Sequence, residues 1–253
     1  MIHETAIISD RAVIAEDVEI GPYCVIGPEV SIGKGSKLQS HVTIERETTI
    51  GENCEFYPFS AIGGRTQDLK YDGEPTRLII GDRNIFRENV TIHRSTSKEI
   101  PTTIGNDNLF LAYAHVAHDC QIGSHIIFSN NGTVAGHVIV EDYAIISGLT
   151  AIHQFCRVGQ HSITGGCSKI VQDIPPFMIV DGNPAAVRGI NTTGMQRRGF
   201  TEEQIREVKT AYKALFLKKD LNLKDGLGKL KDSQGLTTEI KTFVENSNRG
   251  VTR

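Results

Sequence analysis

The sequence predicts a mainly β protein, a parallel β-helix of triangular cross-section followed by a small α-helical domain. Three observations predict it. An apolar residue recurs every six residues through most of the chain, glycine often follows that residue, and the fifth position of each six-residue unit (hexad) is small or β-branched. A period of six fits neither a helix nor a simple strand, and it indicates an internal repeat of short strands joined by tight turns.

The repeat is visible when the chain is written in hexads from its second residue. The leading residues fall in three stretches, Ile2–Ile62, Ile80–Ile92 and Ile104–Ile170. Of these 26 leading residues only Thr164 is polar. Three hexads per coil give 18 residues, and each coil rises by about 4.8 Å, the spacing between paired strands. Two polar loops, 63–77 and 93–103, interrupt the repeat without changing its phase, and such long loops are often functional.

Composition excludes several classes of protein. The net charge is −3, which gives no indication of nucleic-acid binding, and no apolar stretch approaches the roughly 20 residues of a membrane span. The N-terminus lacks the basic and apolar regions of a signal peptide. Five cysteines without a CxxC pair suit a reduced, cytoplasmic protein. Four of them occupy the fifth position of a hexad and are predicted to fill the core: Cys24, Cys54, Cys120 and Cys156.

The C-terminal part of the chain predicts helices. The β-helix is expected to end near Ile174, because three prolines that cannot extend a strand ladder follow, Pro175, Pro176 and Pro184. Thr201 and Gln204 form a capping box that predicts a helix start, and a last helix is predicted around Ile240–Val244. The predicted domains are residues 1–190, with the two loops, and residues 191–253.

The 18-residue coil predicts a column of polar residues. His118, Gly136 and Gln154 are 18 residues apart, each in the third position of its hexad, so they should stack at one corner of the prism. Asp119 and His137 belong to the adjacent column, and His115 lies in the same coil as His118. A metal site formed by His115, His118, Asp119 and His137, or plain surface polarity, would also account for this cluster.

Acyl transfer from a thioester to an alcohol is the favoured interpretation. A neutral imidazole at His118 could accept the proton of the attacking hydroxyl. A backbone N–H at Gly136, where the absent side chain allows close approach, could stabilise the oxyanion of the tetrahedral intermediate.

At this point the chain resembles a known family, the UDP-N-acetylglucosamine 3-O-acyltransferases that begin lipid A synthesis in Gram-negative bacteria. The resemblance covers essentially the whole chain. Its specific segments are QDLKYDGEPT (67–76), TIHR (91–94), AHVAHDC (114–120), AGH (135–137), HQFC (153–156), GGCS (165–168), QDIPP (172–176) and RRGF (197–200). Hexads alone would indicate only a large superfamily of repeat proteins.

The resemblance implies a left-handed β-helix and a cytoplasmic homotrimer with its active sites between adjacent prisms. It implies transfer of an (R)-3-hydroxyacyl chain from acyl carrier protein to the 3-hydroxyl of UDP-N-acetylglucosamine. The donor is carried on the phosphopantetheine of that protein, so no separate cofactor or metal is expected, nor is the protein expected to bind nucleic acid or to be integral to a membrane.

The family's functional residues align with positions of this chain. His118 aligns with the general base and Gly136 with the oxyanion donor, while Asp119 is expected to orient or tune the base. Positions that align with substrate contacts are Asp68, Lys70, His115, His137 and Gln154. Positions that align with nucleotide-binding residues are Asn191, Arg197 and Arg198. Gly166 aligns with the residue that limits acyl length, and a glycine there predicts an open channel for a longer chain.

Charge supports a protein partner. Residues 157–219 carry ten Lys and Arg against five Asp and Glu, a net of +5, so the rest of the chain carries −8. A basic C-terminal face suits the acidic surface of acyl carrier protein, although a merely solvated helix face would have the same composition.

Other interpretations stay open at this point. The companion N-acyltransferase family carries an extra N-terminal uridine-binding domain, whereas hexads here begin at Ile2. A coenzyme A-dependent acetyltransferase is the second, since GNPA (182–185) also occurs in that class. A structural hexapeptide protein or a metal-dependent hydratase resembling γ-carbonic anhydrase are the remaining alternatives.

Overall fold

The chain folds into 27 short strands and four α-helices within the part that is described. A computed structural model describes residues 1–217, 222–230 and 233–253. The strands of the first half are β1 (Ile7–Ile8), β2 (Val13–Ile14), β3 (Glu19–Ile20), β4 (Val25–Ile26), β5 (Ser31–Ile32), β6 (Lys37–Leu38), β7 (Thr43–Ile44), β8 (Thr48–Ile50), β9 (Glu55–Phe56), β10 (Ala61–Gly64), β11 (Leu78–Ile80), β12 (Ile85–Phe86) and β13 (Thr91–His93). Those of the second half are β14 (Thr102–Ile104), β15 (Leu109–Phe110), β16 (His115–Val116), β17 (Gln121–Ile122), β18 (Ile127–Phe128), β19 (Thr133–Val134), β20 (Ile139–Val140), β21 (Ile145–Ile146), β22 (Ala151–Ile152), β23 (Arg157–Val158), β24 (Ile163–Thr164), β25 (Lys169–Ile170), β26 (Met178–Gly182) and β27 (Ala185–Ile190).

The strands form a left-handed parallel β-helix with three sheets, as predicted. Every third strand joins the same sheet: nine strands from β1 to β25 form the first, eight from β2 to β23 the second, and ten from β3 to β27 the third. Partners in consecutive uninterrupted coils are 18 residues apart, as in the pairing of His115 with Thr133. Corner I joins the first sheet to the second, corner II the second to the third, and corner III the third to the first.

Each corner turns at one residue in the left-handed backbone region. Twenty residues other than glycine have a positive φ between 54° and 66°, and all of them except Phe177 are in the fourth position of a hexad. An L-residue occupies this region only when the surrounding structure enforces it. Here the stacked coils enforce it, because the turn N–H donates to the carbonyl one coil below, as His137 does to His118 at 3.0 Å.

Both polar loops leave the prism at corner I, in two successive coils. The strands extend further than the sequence indicated, so the first loop runs over 65–77 and the second over 94–101. Buried Arg94 fastens their bases together. Its Nη1 donates to the carbonyl oxygen of Gly63 and lies 3.7 Å from a carboxylate oxygen of Glu45.

The core of the prism contains a ladder of phenylalanines on the third sheet. Phe56, Phe86, Phe110 and Phe128 are fully buried, and neighbouring ring centroids are 4.8 to 4.9 Å apart. Cys24, Cys54, Cys120 and Cys156 are buried, as predicted, and burial raises the pKa of the Cys120 thiol to about 12. These thiols therefore fill space and are not nucleophiles.

Replacing Phe86 by leucine is expected to destabilise the prism, because it removes two stacked ring contacts and leaves unfilled volume. We expect a loss of about 1–2 kcal/mol in the free energy of unfolding. Denaturant titration and calorimetry would measure it. The matched control is Phe59→Leu, since Phe59 is exposed at corner III, and we expect it to stay within about 0.5 kcal/mol of the wild type. Equal losses of unfolding free energy in Phe86→Leu and Phe59→Leu would contradict the proposal that the phenylalanine ladder stabilises the prism.

The β structure continues beyond the predicted end near Ile174. After Pro175 and Pro176, β26 pairs in parallel with β24, and then turns at a cis peptide bond before Pro184 to pair antiparallel with β27. The prolines occupy turns and leave the ladder intact, which the sequence interpretation missed. The division of the chain at residue 190 stays a prediction.

The C-terminal helices pack on this extension of the third sheet. They are α1 (Thr192–Arg197), α2 (Glu202–Tyr212) with a π-helical continuation (Lys213–Leu217), α3 (Leu223–Gly228) and α4 (Gly235–Glu245). The capping box of Thr201 and Gln204 is present as predicted. The chain then returns to the prism, where Asp173 receives hydrogen bonds from Ser247 Oγ at 2.6 Å and from the backbone N–H of Thr252, through its carbonyl, at 2.8 Å.

Candidate active site

His118 and Asp119 form a hydrogen-bonded pair at corner I. Nδ1 of His118 lies 2.7 Å from Oδ2 of Asp119, and both side chains are largely buried, with 13% and 7% exposed. Burial opposes ionisation of Asp119, but hydrogen bonds from His118 and Thr96 outweigh it and lower the pKa of the carboxyl to about 2. An ionised carboxylate only accepts hydrogen bonds, so Nδ1 must carry the proton. In the neutral imidazole this tautomer leaves the lone pair on Nε2, the form that a general base needs.

The turn explains how neighbours in sequence can pair their side chains. Neighbouring residues on a strand do not readily pair their side chains, because these alternate in direction. Asp119, however, has φ +60° and lies in the turn after β16. Its carboxylate also accepts hydrogen bonds from the backbone N–H of Thr96 at 2.9 Å and from Thr96 Oγ1 at 2.7 Å. The second loop thus holds the carboxylate in place, and no motif in the sequence pointed to Thr96.

Gly136 lies directly above the His118 ring, one coil further along. A Cβ built on Gly136 would lie 2.5 Å from Cε1 and 2.7 Å from Nε2 of His118, so only glycine leaves room for the imidazole. The backbone N–H of Gly136 has no hydrogen-bond partner within the described residues. A free donor therefore adjoins the basic nitrogen, as an oxyanion hole requires.

Three more histidines surround this pair. His137 stacks on Phe155 at 4.6 Å and has its Nε2 3.6 Å from Oδ2 of Asp119. Nδ1 of His115 lies 2.7 Å from Oγ1 of Thr91, and burial, with the nearby His118, lowers the pKa of His115. Edge-on to the His115 ring lies His93, whose pKa burial lowers to about 4. The sequence interpretation had not selected His93.

The exposed Gln154 completes the predicted column of His118, Gly136 and Gln154. The backbone confirms the register, because the N–H of Phe155 donates to the carbonyl of Gly136 at 3.1 Å. The structure thus brings together the five predicted residues nearest the base: His115, Asp119, Gly136, His137 and Gln154.

A metal ion would find three ligand-type side chains here. Within residues 1–217, 222–230 and 233–253, His118, Asp119 and His137 form the one such group, with ligand atoms within 4.8 Å of one another. His115 does not belong to it. Both carboxylate oxygens of Asp119 already accept hydrogen bonds from Thr96 or His118, an arrangement that fixes an imidazole tautomer without a metal.

The first loop places Asp68 and Lys70 at corner I as well, two coils before His118. Asp68 Oδ1 accepts the backbone N–H of Lys70 at 2.8 Å, and the carbonyl of Asp68 accepts the N–H of Tyr71 at 3.1 Å. Asp68 therefore shapes the loop tip, where the Lys70 ammonium is exposed. Within one chain neither side chain contacts the histidine cluster in the described structure.

The predicted nucleotide residues lie at a different corner. Asn191 caps α1: its Oδ1 accepts the N–H of Gly194 at 3.0 Å, and its Nδ2 donates to the carbonyl of His161 at 2.8 Å, at corner II. Arg197 ends α1, and the Arg198 guanidinium lies over the Tyr143 ring, 4.3 Å from its centroid. In one chain, therefore, these residues do not meet His118.

His161 occupies a turn position that would suit a surface residue, but it is buried, stacked between Tyr143 and Phe177. Burial, and then the positive charge of Arg198, lowers the pKa of His161 to about 4. The unfolded chain takes up this proton near the ordinary pKa of about 6.5, so the native state loses stability as the pH falls from 6.5 towards 4.

Replacing His161 by phenylalanine should remove this part of the acid sensitivity. We expect the free-energy gap between His161→Phe and wild type to shift by about 1–2 kcal/mol in favour of the variant between pH 7 and pH 5. Unfolding curves at several pH values would measure the gap. The solvent-exposed His3 provides the control: His3→Phe should leave the gap constant. A constant gap for His161→Phe would contradict the argument.

Gly166 lies at corner III, on the far side of the first sheet from the histidine column. The nearest atom to a Cβ built there is the carbonyl oxygen of Gly148 at 3.5 Å, so the position is open. The exposed Cys167 follows it. The basic segment 157–219 is described only to residue 217, and Lys218 and Lys219 lie outside the described residues.

No helix in the described parts of the chain is long and apolar enough to cross a membrane.

Comparison with known families matches residues 173–252 to domain 2 of UDP-N-acetylglucosamine O-acyltransferase. Residues 1–34 and 11–46 match the bacterial transferase hexapeptide model, which describes six repeats.

Relatives match along the whole chain. The acyl-[acyl-carrier-protein]–UDP-N-acetylglucosamine O-acyltransferase of Stutzerimonas stutzeri is 47% identical, covering 100% of this chain and 99% of the relative. That of Thermodesulfovibrio yellowstonii is 49% identical with the same coverage. The crystal structure of the Francisella novicida UDP-N-acetylglucosamine acyltransferase is 40% identical, with a TM-score of 0.96 over 100% of this chain and 94% of that one. The acetyltransferase, hydratase and structural alternatives find no support in these similarities. The chain belongs to the UDP-N-acetylglucosamine O-acyltransferase family.

Proposed function

We propose that this protein transfers an (R)-3-hydroxyacyl chain from acyl carrier protein to the 3-hydroxyl of UDP-N-acetylglucosamine, the first step of lipid A synthesis. The observation that supports the catalytic part of this proposal is the arrangement of side chains and backbone at corner I. The lone pair of His118 Nε2 adjoins the free backbone N–H of Gly136, while Asp119 holds the opposite ring nitrogen at 2.7 Å. Family membership supports the two substrates.

The reaction proceeds as general base catalysis. His118 Nε2 accepts the proton of the sugar 3-hydroxyl as that oxygen attacks the thioester carbonyl carbon. The N–H of Gly136 donates to the resulting oxyanion, and Asp119 stabilises the imidazolium that forms. When the carbonyl reforms, the carbon–sulfur bond breaks and the leaving thiol takes the proton back from His118. His115 and His137 line the approach to this base.

A homotrimer would complete the site. The base at corner I and the nucleotide-binding candidates at corner II lie on different corners of one prism. Corner II of one subunit facing corner I of the next would bring them together. Cation charge at Arg197 and Arg198 suits a diphosphate, since guanidinium groups bind phosphate oxygens bidentately.

Acyl length depends, in this proposal, on corner III. The acyl chain would run from the histidine column across the first sheet to Gly166, where a Cβ meets nothing closer than 3.5 Å. We expect Gly166→Met to shift the preferred donor towards a shorter chain and to lower kcat/KM for the wild type's best donor by at least about tenfold. Competition among 3-hydroxyacyl donors of graded length, read by mass spectrometry, would measure the shift. An unchanged preference would place the end of the channel elsewhere.

Acyl carrier protein is the proposed partner, and the cytoplasm the proposed location. The basic segment 157–219 supports an acidic partner, although Arg157 is already paired with Glu141 and stacked on Phe243. Its contribution to such a surface is therefore smaller than the count of charges suggests. No cofactor enters the proposed reaction, because the donor arrives on phosphopantetheine.

A donor competition tests the function. Purified protein would be incubated with UDP-N-acetylglucosamine and 3-hydroxyacyl carrier proteins of several lengths, with acetyl coenzyme A as the rival donor. We expect an O-acylated sugar nucleotide from one hydroxyacyl length. Transfer from acetyl coenzyme A alone would overturn the proposal. Stoichiometric zinc together with carbon dioxide hydration would favour the hydratase instead.

A further inference from the structure

Corner II carries a column of stacked rings beside α1. The ring centroids of His125 and Tyr143 are 4.6 Å apart, those of Tyr143 and His161 4.7 Å, and those of His161 and Phe177 5.4 Å. The ring planes are within 8° of parallel. Each ring projects from a turn residue with φ between 55° and 66°, fixed by the coil beneath. The column is therefore a rigid platform for whatever lies against it.

The Arg198 guanidinium contacts this platform at the Tyr143 ring. Its Cζ is 4.3 Å from the Tyr143 centroid, well within the range of a cation–π contact. Within the described part of the chain the guanidinium makes no hydrogen bond or ion pair. Stacking occupies the flat faces of a guanidinium, whereas hydrogen bonding uses its edge. Its N–H groups thus stay available within the described residues, while the Tyr143 ring limits where the guanidinium lies.

The segment that carries Arg198 is fastened to the same column on both sides. Before it, Nδ2 of Asn191 donates to the His161 carbonyl at 2.8 Å. After it, the Phe200 ring packs edge-on against His161, with centroids 4.9 Å apart. Because both polar atoms of the Asn191 side chain are engaged inside the protein, this residue positions α1 and its arginines.

We propose that Tyr143 is a positioning residue for nucleotide binding: its ring holds the Arg198 guanidinium in place, with its N–H groups uncommitted, for a diphosphate. The class of ligand, a nucleoside diphosphate, rests on the proposed function. The platform lowers the cost of binding because the guanidinium does not have to be ordered when the ligand arrives. Tyr143 does not contact the reacting groups in this role, so it changes the affinity for the nucleotide and leaves the rate of the chemical step unchanged.

Calorimetric titration of the full-length protein with UDP tests this role. The variants are Tyr143→Leu, Tyr143→Phe, Arg198→Ala and the double variant Tyr143→Leu/Arg198→Ala. Leucine is compatible with this turn, since Leu149 occupies the equivalent position at corner III with φ 58°. Tyr23→Leu is the matched control, because Tyr23 also has a positive φ and its ring contacts that of His41, with centroids 5.0 Å apart, but no guanidinium among the described residues lies over it.

We expect Tyr143→Leu to weaken UDP binding about 5- to 10-fold, while Tyr143→Phe and Tyr23→Leu stay within about twofold. The double variant should bind UDP no more weakly than Arg198→Ala. The kcat of Tyr143→Leu at saturating sugar nucleotide should stay within about twofold of wild type. Additive losses, a loss in kcat alone, tighter binding by Tyr143→Leu, or no UDP binding by the wild type would each overturn the inference. UDP binding without acyl transfer would instead refute the proposed function and leave Tyr143's role standing.

Discussion

Replacing His118 by alanine is expected to lower kcat for acyl transfer by about 10²- to 10⁴-fold, the usual contribution of a general base. Nε2 of His118 is the basic nitrogen that adjoins the free N–H of Gly136. Its neighbours cannot replace it. His115 hydrogen-bonds Thr91, and the His137 ring stacks on Phe155. Steady-state kinetics with the preferred hydroxyacyl carrier protein would measure the loss.

The His118→Ala result needs a comparison that separates chemistry from folding. His3 is exposed near the N-terminus, and its ring hydrogen-bonds Thr5, so His3→Ala should keep wild-type kcat. The thermal midpoint of His118→Ala should stay close to that of wild type, because Asp119 keeps its hydrogen bonds from Thr96. If His118→Ala retained its activity, the description of the fold would still hold, but the general base would have to be another residue.

The prism and its histidine column could be predicted because their information is local and repeated. A leading apolar residue every six positions determines the strands, and a separation of 18 residues places Gly136 over His118 without any knowledge of distant contacts. The same regularity identified the four buried cysteines. In a repeat of fixed length, residues that are one coil apart in the sequence are stacked in the structure, so columns of side chains can be identified by counting residues.

Features that depend on contacts between distant segments were not predictable in this way. His161 looks like a surface turn residue from its hexad position, and it is buried because Phe200, 39 residues later, packs on it. Thr96 belongs to a polar loop without a motif, yet it fixes the Asp119 carboxylate. The strand pair β26–β27 was obscured by prolines that occupy the turns. In each case the deciding contact involves a segment outside the repeat.

Gly136→Ala is expected to lower kcat by about 10²-fold, although alanine retains the backbone N–H that serves the oxyanion. The added Cβ would lie 2.5 Å from Cε1 and 2.7 Å from Nε2 of His118, closer than atoms can approach. The imidazole must therefore rotate away, which breaks its 2.7 Å hydrogen bond with Asp119 and misplaces the basic nitrogen. Gly189→Ala is the control, since a Cβ there meets nothing within 4 Å.

The double variant His118→Ala/Gly136→Ala distinguishes the two possible causes of that loss. If the methyl group acts by displacing the imidazole, it has nothing to displace once the ring is gone, and the double variant should be about as active as His118→Ala. If the methyl group instead hinders the oxyanion or the approaching sugar, the second substitution should reduce the residual rate again by a similar factor. Single-turnover rates would resolve these outcomes, and non-additivity would show that Gly136 is needed chiefly as space for the base.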